Sequence, residues 1–151
     1  MTFRCTLPEE VITVKSTSTF QYAMRFGHEA LDKGDLGDAK GRFSAAFAEA
    51  SAPDERALSG QMVGVVTRLD GDLQSAEVRL IGALEDANGF LALTAKIRRD
   101  LGMVYLDSGR VPEARYEFAI SHNGLKRMLG DHKTFSINPP CPRALSGASL
   151  F

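Results

Sequence analysis

Gly27, Gly64 and Gly102 stand 37 and 38 residues apart, and the same kinds of residue follow each of them at the same intervals. Seven residues on are Gly34, Gly71 and Gly109; nine on are Leu36, Leu73 and Val111; twelve on are Ala39, Ala76 and Ala114. Sixteen on are Phe43, Leu80 and Phe118, nineteen on are Ala46, Ala83 and Ser121, and one before each anchor are Phe26, Val63 and Leu101. Self-similarity at such a period marks a small supersecondary unit that buries its apolar face by stacking on copies of itself.

The intervals inside one copy describe a helical hairpin. A glycine seven residues after the anchor can adopt the left-handed conformation that ends a helix, so "LDKGDL", "RLDGDL" and "LDSGRV" read as turns. Asp35 and Asp72 follow those glycines and are placed to cap a second helix, with Asp38 and Ser75 three residues on; in the third copy Pro112 and Glu113 suit a first helical turn instead. The anchor glycine falls inside the first helix, where it costs about 1 kcal/mol relative to alanine. Its recurrence predicts close helix approach, with Gly27 facing Ala39, Gly64 facing Ala76 and Gly102 facing Ala114 near the lower end of the usual ~8–10 Å spacing. Phe43, Leu80 and Phe118 are then expected to fill space beside the next hairpin.

This small-residue and aromatic pattern resembles the tetratricopeptide repeat family over roughly residues 20–130. Leu101, Gly102, Tyr105, Ala114 and Phe118 match its signature in the third copy, and Phe26, Gly27, Ala39, Phe43 and Ala46 in the first. The second copy has Thr67 and Leu80 at the tyrosine and phenylalanine positions, and the early tryptophan is replaced by Ala23, Gly60 and Arg98. The family's late proline is missing, and its usual 34-residue period is exceeded by three or four residues, which longer helices or loops between hairpins would absorb. The resemblance implies an all-α fold of three antiparallel helix hairpins stacked as a right-handed superhelix, an α-solenoid. The organisation that follows is an N-terminal extension (1–17), a helical-repeat domain (18–131) opened by a capping box of Ser18 and Gln21, and a C-terminal tail (132–151) irregular on account of its prolines.

Composition narrows the job. Residues 20–131 hold 14 Lys and Arg against 17 Asp and Glu, and the whole chain has a net charge of -1, so no excess of positive charge favours a nucleic-acid partner. No apolar stretch approaches the roughly 20 residues of a membrane span, and the N-terminus lacks a basic segment leading into an apolar run, so no membrane partner and a cytoplasmic location are expected. Cys5 and Cys141 lie near opposite ends without a CxxC companion, and His28, His122 and His132 share no ligand spacing, so neither a metal nor a cofactor is expected. No phosphate-cradling glycine loop, G-x-S-x-G or other catalytic constellation occurs, and the chain reads as a non-enzyme.

What is left is surface. In the family this chain resembles, first helices line a concave groove that receives a peptide or a partner's helix. Carried over by register, that groove consists of Gln21, Met24, His28 and Leu31 in the first copy, Leu58, Gln61, Val65 and Arg68 in the second, and Lys96, Arg99, Met103 and Leu106 in the third. The mixture of methionine with Arg68, Lys96 and Arg99 suits a protein or peptide segment bearing acidic and apolar side chains. A family subset clamps the acidic C-terminus of chaperones with five polar residues, but those positions hold Met24, His28, Met62, Lys96 and Asp100, where only Lys96 fits and Asp100 repels. The expected function is therefore an adaptor or scaffold for protein–protein interaction that binds a segment in its groove. The alternative is a self-assembly or docking subunit that uses the ends of the stack, because the apolar stripe Ala114, Phe118, Leu125 and Met128 has no fourth hairpin to cover it.

Overall fold

The computed structural model describes residues 19–129, and within them the chain is all-helical: α1 (residues 19–32), α2 (Leu36–Glu49), α3 (Pro53–Leu69), α4 (Leu73–Asp86), α5 (Leu91–Asp107) and α6 (Val111–Leu129). The extension 1–17, Ser18 of the expected capping box and the proline-containing tail lie outside the described residues.

The turns joining α1 to α2, α3 to α4 and α5 to α6 are built alike. At the middle one, the N–H of Gly71 donates to the Arg68 carbonyl at 3.0 Å and that of Asp72 to the Thr67 carbonyl at 3.1 Å, with Gly71 at φ 95°. This pair of hydrogen bonds satisfies two of the carbonyls that a helix end leaves unpaired, and the positive φ that it requires is free of penalty only for glycine. The pair Gly34 to Leu31 and Asp35 to Ala30 repeats it, as does Gly109 to Leu106 and Arg110 to Tyr105. The chain then re-enters a helix at once: Asp35 Oδ1 accepts from the Asp38 N–H at 3.0 Å, and Asp72 Oδ1 from the Ser75 N–H at 3.1 Å, as the spacing predicted. In the third turn the residue at that place is Arg110, which instead donates to Glu113 at 2.8 Å and to Glu77 of α4 at 2.9 Å.

Each hairpin is antiparallel, since residues equidistant from its turn meet. A Cβ added to Gly27 would lie 2.6 Å from Phe43 Cε1, one on Gly64 2.7 Å from Leu80 Cγ, and one on Gly102 3.0 Å from Phe118 Cε1. The expected pairing with the alanine twelve residues on is thereby corrected for Gly27 and Gly102; at Gly64 the Ala76 carbonyl is also met, at 3.6 Å, behind the nearer Leu80. The glycine makes room for the large residue sixteen on, in the second helix of its own hairpin, and Phe43 and Leu80 are fully buried there. Ala39, Ala76 and Ala114 are also fully buried, one helical turn nearer the hairpin bend.

Two clusters make the core. Met24, Ala30, Ala39, Phe43 and Ala46 pack with Met62, Val63 and Val66 of α3. Ala57, Ala76, Leu80 and Ala83 pack with Ile97, Leu101, Val104, Tyr105 and Ala114. The division runs along α3, whose two sides serve the two clusters. Between hairpins, α2 packs on α3, α4 on α5 and α3 on α5. Phe26 departs from its register mates: Val63 and Leu101 are buried, while Phe26 is 39% exposed on the first hairpin, stacked with Tyr22 and flanked by the guanidinium groups of Arg25 and Arg42. No helix among the described residues is long and apolar enough to cross a membrane.

Candidate functional site

The face carried by α3 and α5 is set by two polar bonds. Gln61 Nε2 donates to Asp100 Oδ2 at 2.6 Å, and Arg68 Nη1 donates to Asp107 Oδ2 at 2.5 Å. Both span 39 residues and both point the same way along the helices, so α3 and α5 run parallel, side by side. Gln61 is 1% exposed and Asp100 8%, and Arg99 Nη2 approaches the other oxygen of Asp100 at 3.5 Å. A buried carboxylate is tolerable only when its charge is compensated; Gln61 donates to one oxygen and the Arg99 guanidinium lies beside the other.

The residues expected to line a groove divide by burial. Gln21, His28, Lys96 and Arg99 are exposed, and Val65, Arg68 and Met103 are half-buried. Met24 and Gln61 are buried. Met24 lies three residues before Gly27, on the same helical face, and is drawn into the cluster around Phe43. His28 meets the Phe43 ring edge-on at 5.1 Å between centroids. Arg68, expected to be available to a ligand carboxylate, has Asp107 as its partner. Leu31, Leu58 and Leu106 back the two core clusters.

The cations that face solvent on this side are thus Lys96 and Arg99. Lys96 has no ion-pair partner within 4.0 Å among the described residues, and the Arg99 side chain keeps 59% of its surface exposed. Two such groups on one helix, one turn apart, can hold a carboxylate through charge-assisted hydrogen bonds. Sequence reasoning missed Asp100 and Asp107 as the partners that engage Gln61 and Arg68. A shift by one period places residues 99 and 106 opposite them, whereas the contacts fall one residue further on.

A separate polar cluster joins the second and third hairpins. Arg110, bonded to Glu77 and Glu113, lies with its guanidinium carbon 4.3 Å from the centre of the Tyr105 ring. Burial first, and then the charge of Glu77, push the Tyr105 phenol above its ordinary value, with Arg110 opposing them. Its members bond to one another, which makes it a structural fastener. Among the described residues, no group of three or more His, Cys, Asp or Glu is arranged to hold a metal ion.

No family model matches this sequence, and no curated protein sequence matches it.

Proposed function

We propose that this chain is a non-enzymatic adaptor of the tetratricopeptide type, its three hairpins stacked as a right-handed superhelix, which binds a protein or peptide segment on the face of its first helices. The observation that carries the reading is the parallel alignment of α3 and α5 through Gln61–Asp100 and Arg68–Asp107. That alignment is what a stack of like hairpins requires, and it puts Lys96 and Arg99 on an extended surface beside the half-buried Val65 and Met103. Such a surface complements a segment with acidic and apolar side chains.

The variant that tests this is Lys96→Glu. Arg68 and Arg99 are avoided because their replacement by Glu would set a carboxylate against Asp107 and against the buried Asp100, and confound binding with stability. Partners captured from a native lysate and identified by mass spectrometry should be lost by this variant, with the thermal midpoint nearly unchanged, as expected for an exposed charge. Retention of all of them would remove this face from consideration.

The second reading, docking through the end of the stack, is favoured by α6, where Tyr116, Leu125, Met128 and Leu129 are all exposed. It predicts self-association that Leu125→Lys and Met128→Lys abolish, measured by light scattering.

A further inference from the structure

Because α2 packs on one side of α3 and α4 on another, the two second helices flank a channel whose floor is α3. Two adjoining hollows fill it. One, of about 490 Å³, is lined by Lys40 of α2, Thr67 of α3, and Gln74, Ser75 and Arg79 of α4. The other, of about 340 Å³, is floored by Gly60, Val63, Ala83 and the ring of Phe47, and is bounded by Arg56, Glu85 and Asp86. Val78 and Arg79 line both, so the hollows are continuous across Val78, which is 67% exposed.

The charges along this channel are ordered. Lys40 lines the first hollow and Arg79 both, and neither has an ion-pair partner within 4.0 Å among the described residues, although the Asp72 carboxylate feels the Lys40 charge from farther off; at the other end Glu85 has no such partner either, whereas Asp86 is met by Arg56 at 3.8 Å. The channel therefore runs from two cations at the first hollow, over an apolar floor, to the Glu85 carboxylate. A ligand carboxylate in the first hollow is attracted by both cations. The apolar floor gains by losing water to an aliphatic or aromatic side chain.

We infer that the channel between α2 and α4 is a second binding site, for an extended peptide that carries an acidic, an apolar and a basic side chain in that linear order. The acidic group lies between Lys40 and Arg79, the apolar one enters the hollow over Gly60 and Val63, and the basic one meets Glu85. This site is independent of the face bearing Lys96 and Arg99, and either can fail without the other.

The test uses pooled synthetic peptides, seven residues long, with Glu at one end, Leu, Met or Phe in the middle and Lys at the other end, in both chain directions. A control pool has Gln at both ends. Amide shifts in the full-length protein should move at Ser75, Val78 and Gly82 with the charged pool and not with the control. Arg79→Glu should weaken binding at least tenfold and transfer preference to a pool with Lys at both ends. Gly82→Leu should abolish the preference for a central apolar residue while the protein stays folded, because nothing lies within 4 Å of a Cβ at Gly82. Lys96→Glu should leave these shifts intact. Equal binding of the Gln-ended pool, shifts confined to the neighbourhood of Lys96 and Arg99, or no shifts at all would each overturn the assignment.

Discussion

The buried Gln61 amide donates to the buried Asp100 carboxylate across the α3–α5 contact, and its own oxygen has no hydrogen-bond partner among the described residues. The pair is therefore asymmetric: Asp100 has the Arg99 guanidinium beside its other oxygen, and the Gln61 oxygen has nothing comparable. Asp100→Asn retains an acceptor for the Gln61 amide and should be mild. Asp100→Leu removes it and leaves the whole amide unpaired, at a cost of about 1–3 kcal/mol. Urea midpoints of the two variants should separate accordingly, and equal midpoints would show that the bond contributes nothing to holding α3 against α5.

The anchor glycines should respond in graded fashion to alanine. At Gly27 and Gly64 the new Cβ falls 2.6 and 2.7 Å from fully buried side chains, and such overpacking costs roughly 1–3 kcal/mol. A gain in helix propensity of up to about 1 kcal/mol offsets it in part. Gly102 has more room, at 3.0 Å from the partly buried Phe118, and should come closest to neutral. Gly41 and Gly82, helical and with nothing within 4 Å, should gain stability on the same change. Thermal melts of the five variants give the ranking directly.

The caps predict a further pair of effects. Asp35→Ala removes the acceptor for the Asp38 N–H and should cost about 1 kcal/mol, read from the urea midpoint. Glu55 and Asp72 supply an acid dependence. The Ser51 N–H holds the Glu55 carboxyl below its ordinary value, and the Ser75 hydroxyl and N–H hold that of Asp72 below its own. A depressed carboxyl contributes stability at pH values above its unfolded pKa, and that contribution is lost as pH falls through the folded one. Stability should thus decline below roughly pH 4, and the combined variant Glu55→Gln with Asp72→Asn should show a flatter acid limb in pH-dependent melts.

Tyr105 should reveal itself at the alkaline end. Its raised pKa means that the folded protein keeps the phenol protonated after the unfolded chain would release it, so stability is lost as pH rises past about 10. Ultraviolet titration should show one tyrosine ionising late, and Tyr105→Phe should remove that step alone.

Much of this was legible in the residues. Gly34, Gly71 and Gly109 mark the turns because the bond pattern that ends each first helix demands a left-handed residue, and Asp35 and Asp72 mark the next helix because a short carboxylate reaches the N–H three residues on. These are local interactions, spanning one turn of backbone, and local interactions leave their spacing in the sequence. The pairing of Gly27 with Phe43 rather than with Ala39 was not legible. Both partners are compatible with a close approach, and the rotation of one helix about its axis, which chooses between them, is decided by packing of the whole interface. The same holds for the surface. Met24 and Lys96 occupy equally plausible groove positions by register, but the cluster around Phe43 buries Met24 and leaves Lys96 in solvent. Gln61 and Arg68 meet acids 39 residues away because two parallel helices settle at a stagger set by side chains along their full length. Local spacing in the residues thus marks where each first helix ends and its partner begins, whereas which side chains the helices turn toward one another is a minimum over many long-range contacts, and no single interval records it.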